Sequence, residues 1–275
     1  MLFRSLQARS QRLFGIVNGI DNDAWNPATD PNLAQNYTRE TWKTGKAQCK
    51  RALQEALGLP LRPDVPVLGI VSRLAEQKGW DLVIQLMQWW LDHVDVQWAI
   101  LGSGEQRYAE RLFQLANQRP DRVCLQTTFS DSLAHRIEAG SDLFLMPSLY
   151  EPCGLNQLYS LRYGTVPVVR ATGGLADTIC DATPENIDQS IATGFTFQDY
   201  TPEALAHATQ RALEIYYHSP DKWNKIVERG MVQDWSWSKS AQAMLDVYHR
   251  ARRFASEEGR RSEEHTSELQ SPCNL

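Results

Sequence analysis

Short apolar runs rich in β-branched residues recur along the middle of the chain, each closed by turn residues: Val65 to Ser72 (VPVLGIVS), Val96 to Gly102 (VQWAILG), Arg122 to Thr128 (RVCLQTT), Asp142 to Ser148 (DLFLMPS), Val166 to Ala171 (VPVVRA) and Gly194 to Gln198 (GFTFQ). Their length and composition predict strands. Between them, DLVIQLMQWWLDH, EQRYAERLFQLANQ, DSLAHRIEAG and GLNQLYSLRYG place apolar residues at helical intervals. Near-continuous apolar strands alternating with such helices imply a parallel sheet covered on both faces, since a strand buried on both sides leaves no room for polar alternation. The expected fold class is α/β, a doubly wound, Rossmann-like parallel sheet. Additional C-terminal helices follow in PEALAHATQRALEIYYHS, PDKWNKIVERGM and SKSAQAMLDVYHRARRF, the first announced by Thr201 and by Pro202 in its first turn.

The pattern fails at both ends and in one long stretch. Gly19 to Lys46 is rich in Asn, Asp and Pro and reads as a surface or interdomain connection. After Phe254 the periodicity stops, and a polar stretch with so little to bury is expected to be disordered from about Ser256. The last residues, RSEEHTSELQSPCNL, resemble the read-through translation of a common sequencing adapter, so His265 beside Glu263 and Glu264 is not read as a metal cluster. The chain opens in helix-like composition (LFRSLQARSQRL), as a truncated N-terminus would. The expected organisation is residues 1–60 as the remnant of a preceding domain and its connection, 61–254 as the sheet domain, and 255–275 as a disordered tail, adapter-derived from 261.

Composition narrows the partners. With 275 residues, 42% of them hydrophobic, the chain can bury a proper core. A net charge of -5 and the absence of a long basic run give no electrostatic reason to expect nucleic acid. No apolar run approaches membrane-spanning length, and Met1 to Arg12 lacks the apolar core of a signal peptide, so no membrane partner is expected and a cytoplasmic setting is the default. Cys49, Cys124, Cys153, Cys180 and Cys273 show no CxxC metal spacing and read as thiols in a reducing compartment.

In open α/β sheets ligands bind outside the carboxyl ends of the strands, so the residues that follow each strand are the ones to inspect. SRLAEQKGW puts Arg73 and Lys78 five apart across a turn, where two cations can grip adjacent phosphates; a solvated loop is the alternative. LGSGEQR carries Arg107 where a dinucleotide fingerprint needs a small residue, and reads as a structural turn. After the fourth strand stands Glu151, followed by a helix start at Gly154 whose free N–H groups can face a ligand. After the fifth come Thr172, Gly173 and Gly174, glycines suited to close backbone approach. Glu151 alone could be a helix-start carboxylate interacting with the dipole, worth about 0.3–1 kcal/mol. Cations, glycines and carboxylate on one rim point instead to a phosphate-linked polyol.

The segments NGID, SRLAEQKGWD, PSLYEPCGLNQLYSLRYGTVPVV and RATGGLADT resemble, in order and spacing, the C-terminal half of bacterial glycogen synthases and plant starch synthases, from about Leu13 to Phe254. The resemblance implies a GT-B architecture of two Rossmann-like domains, of which this chain supplies the nucleotide-sugar-binding one. It also implies transfer of glucose from ADP-glucose to the non-reducing end of an α-1,4-glucan with retention. It assigns Glu151 to the glucosyl group and its developing positive charge, and Arg73, Lys78, Thr172, Gly173 and Gly174 to the donor phosphates. Cys153, Gly154 and Leu155 fall to the sugar, Asn18 and Asp21 to the cleft beside it, and Phe129 to the adenine. ADP-glucose would be a substrate, no cofactor or metal is required, and the glucan would be held through the missing N-terminal domain with its lysine-and-glycine-rich segment. A plastid location would need a transit peptide in that missing part.

This sequence departs from the family pattern in places. Asn156 stands where threonine is frequent, and Phe129 where many relatives carry tyrosine. His135 is a further candidate for the phosphates, set against a helical histidine with a structural partner. Asp21 to Asp23 matches a D-x-D metal motif formally but lies in a loop with no associated strand. Trp89, Trp90 and Trp98 read as core before glucan platform, and Trp235 and Trp237 as packing for the last helix. Two alternatives stay open, a nucleotide-sugar-binding remnant without transferase activity and a GT-B transferase using UDP-sugars.

Overall fold

The computed structural model describes Ser10 and residues 13–268, the stretch 256–268 as backbone only. Residues 1–9, 11–12 and 269–275, Cys273 among them, lie outside the described residues. The chain divides into a large unit, Ile20–Asp234, and a small one formed by Met1–Gly19 with Trp235–Leu275.

The large unit is built on a six-stranded parallel sheet in the order β3-β2-β1-β4-β5-β6, with β1 Val67–Val71, β2 Gln97–Leu101, β3 Val123–Gln126, β4 Leu143–Met146, β5 Val166–Arg170 and β6 Phe195–Phe197. β1 pairs with β2 from Val67↔Gln97 to Val71↔Leu101 and with β4 at Leu68↔Leu143. Burial explains their lack of alternation: β2 and β4 are buried along their whole length and β1 up to Val71. The sequence stretches expected to be strands contain all six.

The helices in chain order are α1 Trp42–Leu57, α2 Trp80–Trp90, α3 Gln106–Gln118, α4 Asp131–Gly140, α5 Asn156–Tyr163, α6 Gly174–Thr178, α7 Pro184–Asp188, α8 Pro202–His218 and α9 Pro220–Met231. Thr201 caps α8 by accepting from the Ala204 N–H, with Pro202 in the first turn. Trp90 and Trp98 are buried in the core, whereas Trp89 on the same helix as Trp90 is 38% exposed.

Apart from the short α7, α1 is the element the apolar pattern did not announce. Its inner face carries Trp42, Gly45, Cys49 and Leu53 but also Lys46, Lys50 and Gln54, all buried. Lys46 Nζ donates to the carbonyls of Ala139 (2.8 Å) and Ser141 (2.9 Å) and to Thr165 Oγ1 (2.6 Å), and Lys50 pairs with Asp142 at 2.8 Å. A polar residue on an inner face is tolerated when its donors are satisfied, and there it erases the hydrophobic stripe that betrays a helix.

In the small unit, α10 spans Trp237–Glu268. Within that unit Ser240 Oγ donates to the Val17 carbonyl at 2.8 Å, and Lys239 lies over the Trp235 ring at 5.1 Å. Trp237 is half exposed at the helix start. The helix continues past Ser256, where loss of apolar periodicity predicted disorder: the Glu and Arg residues there extend a helix already nucleated at little cost, with Gly259 the weakest helix former among them. Residues 251–255 are exposed. Deleting 261–275 is therefore expected to leave the melting temperature unchanged by calorimetry; a clear drop would mean that the segment packs.

Candidate functional site

The sheet order reverses between β1 and β4, and at the carboxyl ends of these strands lies a cavity of about 430 Å³. Ile70, Val71, Leu101, Leu145 and Met146 from three strands line its apolar part, with Trp80 from α2. Polar groups reach it from the loops that leave each strand: Ser72, Arg73 and Lys78 after β1, Ser103 after β2, Ser148 and Glu151 after β4. Gly154, Leu155 and Asn156, at the N-terminal end of α5, close one side, and Phe129, 79% exposed, another.

Lys78 and Glu151, 73 residues apart in sequence, meet here with Nζ to Oε2 at 2.5 Å, and Ser148 Oγ donates to the same carboxylate oxygen at 3.2 Å. Glu151 is 8% exposed, so this pairing is what allows a carboxylate to stay at a nearly buried position. Arg73 is exposed at the rim, and its guanidinium makes no ion pair or hydrogen bond among the described residues. The loop is anchored by its own carbonyl, which accepts from Trp80 Nε1 at 2.8 Å. The cavity thus presents one available cation, one cation shared with a carboxylate, and an apolar interior. That combination suits an anionic group joined to a flat or apolar one.

Thr172, Gly173 and Gly174 do not line this cavity. The glycines approach protein backbone instead: the Gly174 N–H donates to the Glu151 carbonyl at 3.0 Å, and a Cβ on Gly173 (φ 48°) would collide with that carbonyl. The turn after β5 therefore buttresses the loop that carries Glu151. The same loop is held by Gln77, whose carbonyl accepts from the Leu149 N–H at 2.9 Å, and by Arg170, which donates to the Leu149 carbonyl at 2.7 Å.

The remaining candidates are dispersed. Gly154 and Leu155 line the cavity, whereas Cys153 does not. His135 is buried away from it, its Nδ1 2.7 Å from Asp30 Oδ2 and its ring stacked on Trp25 at 3.8 Å, which is the structural-partner reading of that histidine. Burial pushes the Asp30 carboxyl up, but hydrogen bonds from Tyr163, the Asn32 N–H and His135 outweigh it and hold the group below its ordinary range. Asp21 Oδ1 accepts from the N–H groups of Ala24 and Asp23, an Asx turn whose backbone donors hold it below its ordinary value, the Ala24 N–H most. Asn18 belongs to the small unit. Among the described residues no group of three or more His, Cys, Asp or Glu could hold a metal ion, and no helix is long and apolar enough to cross a membrane.

Ser72, Ser103, Ser148 and Asn156 also line the cavity and were not singled out from the sequence as site residues. Their position just past a strand or at a helix start is the signal that could have found them. Asn156 Nδ2 donates to the carbonyl of Val71, the last residue of β1, at 2.6 Å, tying the start of α5 to the strand next to it.

A family model described as Glycosyl transferases group 1 matches residues 57–230. A glycogen synthase of Rhodopirellula baltica is 54% identical over 246 residues, which are 89% of this chain and 48% of that protein. One from Anaeromyxobacter dehalogenans is 54% identical over 88% of this chain and 50% of its own length. Among solved structures, the catalytic domain of Starch Synthase IV from Arabidopsis thaliana, bound to ADP and acarbose, superimposes with a TM-score of 0.82 at 37% identity, over 90% of this chain and 51% of that one. The chain spans about half the length of the curated relatives it matches.

Proposed function

We propose, for a chain that belongs to the glycogen and starch synthase family within the group 1 glycosyl transferases and has their Rossmann-like GT-B fold, that the cavity at the β1/β4 switch point is the donor site of a retaining glucosyltransferase. The donor is ADP-glucose and the acceptor the non-reducing end of an α-1,4-glucan, bound with residues beyond this half. The observation that carries the reading is the meeting of Lys78 and Glu151 at the wall of a cavity whose rim holds Arg73. The solved relative was bound to ADP, which supports a nucleotide diphosphate here.

Arg73 then takes the diphosphate through its planar fork, and Lys78 shares its ammonium between a phosphate oxygen and Glu151. As the glycosidic bond loosens, negative charge grows on the leaving diphosphate and positive charge on the anomeric centre. The cations answer the first and Glu151 the second. Because the charge on the leaving group is met by side chains already in place, the chemistry needs no metal. The apolar interior and exposed Phe129 offer the base a surface to stack on.

Titration calorimetry of the chain with ADP tests the reading. Arg73→Ala is expected to weaken binding by about 1.5–3 kcal/mol, the range of a charge-assisted hydrogen bond. Equal affinity in both proteins would reject the assignment, and absence of ADP binding by the unmodified chain would reject the donor site itself.

A further inference from the structure

We infer that Gln157 and Thr178 form a clasp that fixes the Glu151 loop over the cavity, and that both are positioning residues for the sugar end of the site; the inference rests on the donor-site reading above. Gln157 lies within the first turn of α5 and has no exposed surface. Its Nε2 donates to the Cys153 carbonyl at 3.1 Å and to Thr178 Oγ1 at 3.3 Å. Thr178 Oγ1 in turn donates to the Gly174 carbonyl at 2.6 Å, and the Gly174 N–H donates to the Glu151 carbonyl at 3.0 Å. These bonds close a circuit from Glu151 through Gly174, Thr178 and Gln157 back to Cys153, two residues along the same loop. Every join in it is a hydrogen bond of defined direction, so the loop has one height at which all are made.

Two features separate this from ordinary core filling. Gln157 Oε1 is buried without a hydrogen-bond partner, which is costly, and turning the amide over would set that oxygen against the Cys153 carbonyl. An apolar residue would fill the space without that cost; the amide gains only its two donor bonds, and both bear on the loop. Gly154, with φ 71°, brings its Cα against the amide, where a Cβ would strike Gln157, so nothing intervenes between the clasp and a residue of the cavity wall. The Arg73 side of the rim lies outside the circuit, so the clasp acts on the sugar end and leaves the diphosphate grip alone.

The test compares the unmodified chain with Gln157→Met, Thr178→Val and Thr178→Ser, each titrated with ADP and with ADP-glucose, with amide exchange followed at Cys153 to Leu155. Met and Val keep the volume and remove the donor; Ser keeps the hydroxyl. The expected result is that the unmodified chain binds ADP-glucose more tightly than ADP. Gln157→Met and Thr178→Val should lose about tenfold of that advantage with ADP affinity within about twofold, the loop amides should exchange about tenfold faster, and Thr178→Ser should behave as the unmodified chain. Unchanged exchange in folded Met and Val variants overturns the clasp. Faster exchange with the ADP-glucose advantage intact overturns the positioning role, since looseness without loss of sugar discrimination is a structural effect alone. If the unmodified chain binds neither nucleotide, the donor-site reading falls and takes this inference with it.

Discussion

Joined to the N-terminal half of one of its relatives, the Glu151→Ala chain is expected to incorporate radiolabelled glucose into glycogen about 10³-fold more slowly, chelator present, the scale for removing a preorganised group that meets transition-state charge. Glu151 is nearly buried and bonded to Lys78 and Ser148, so it is held in place before a donor arrives. Its partner in the reaction is the anomeric centre, whose positive charge exists only as the bond breaks. Loss of such a contact lowers turnover and leaves ground-state binding nearly untouched. The ion pair adds a sharper expectation. Lys78 in the resting structure divides its charge between Glu151 and whatever else enters the cavity, so removing the carboxylate frees the ammonium and ADP affinity should hold or rise. Full turnover in the variant, or a loss of ADP affinity as large as that expected for Arg73→Ala, would overturn this division of labour.

That pairing could not be read in the sequence, where Lys78 and Glu151 are separated by 73 residues and each has its own explanation as a rim charge. The strands could be read, because a strand buried on both faces must be apolar at every position, as Leu143–Met146 is. The strand pattern marked the residues that follow each strand as the ones to inspect, and the fold brings Arg73, Lys78, Glu151, Gly154 and Leu155 from among them around one cavity; the strand order that creates the switch point was not legible. α1 was hidden because Lys46, Lys50 and Gln54 occupy its inner face, and whether a buried lysine finds its acceptors is decided by Ala139, Ser141 and Thr165 about a hundred residues away. Gly173 and Gly174 announced a close backbone approach, but a glycine does not say to what. Here the partner is the carbonyl of Glu151, which lies in a different loop. His135 raised the same difficulty, since only the fold brings Asp30 and Trp25 to it.

The buried polar cluster behind α1 carries a second large effect, expected in stability as a function of pH. Glu138 is fully enclosed, and burial pushes its carboxyl from 4.5 up to about 8, against the smaller opposing effects of Ser160 Oγ, which donates to it at 2.7 Å, and of the nearby Lys46 ammonium. Between pH 4.5 and 8 the folded chain therefore holds a proton that the unfolded chain has released, so this group's contribution to stability is full below 4.5 and is lost as pH rises toward 8. The limiting slope is about 1.4 kcal/mol per pH unit. Lys46, also enclosed, is pushed by burial from 10.5 down to about 8, so the folded chain releases its proton first and stability recovers between 8 and 10.5. Together they give a minimum near pH 8. Glu138→Gln keeps the shape and the oxygen that accepts from Ser160 but cannot ionise. Its urea midpoint, followed by circular dichroism, should match the unmodified chain at pH 5 and exceed it increasingly up to pH 8, where the difference reaches on the order of 3 kcal/mol. Taking the difference between the two proteins cancels the titration of groups they share, Asp30 and Asp21 among them. Midpoints that run parallel from pH 5 to 8 would mean that Glu138 ionises in the folded chain as it does in the unfolded one, with Lys46 as its counter-ion.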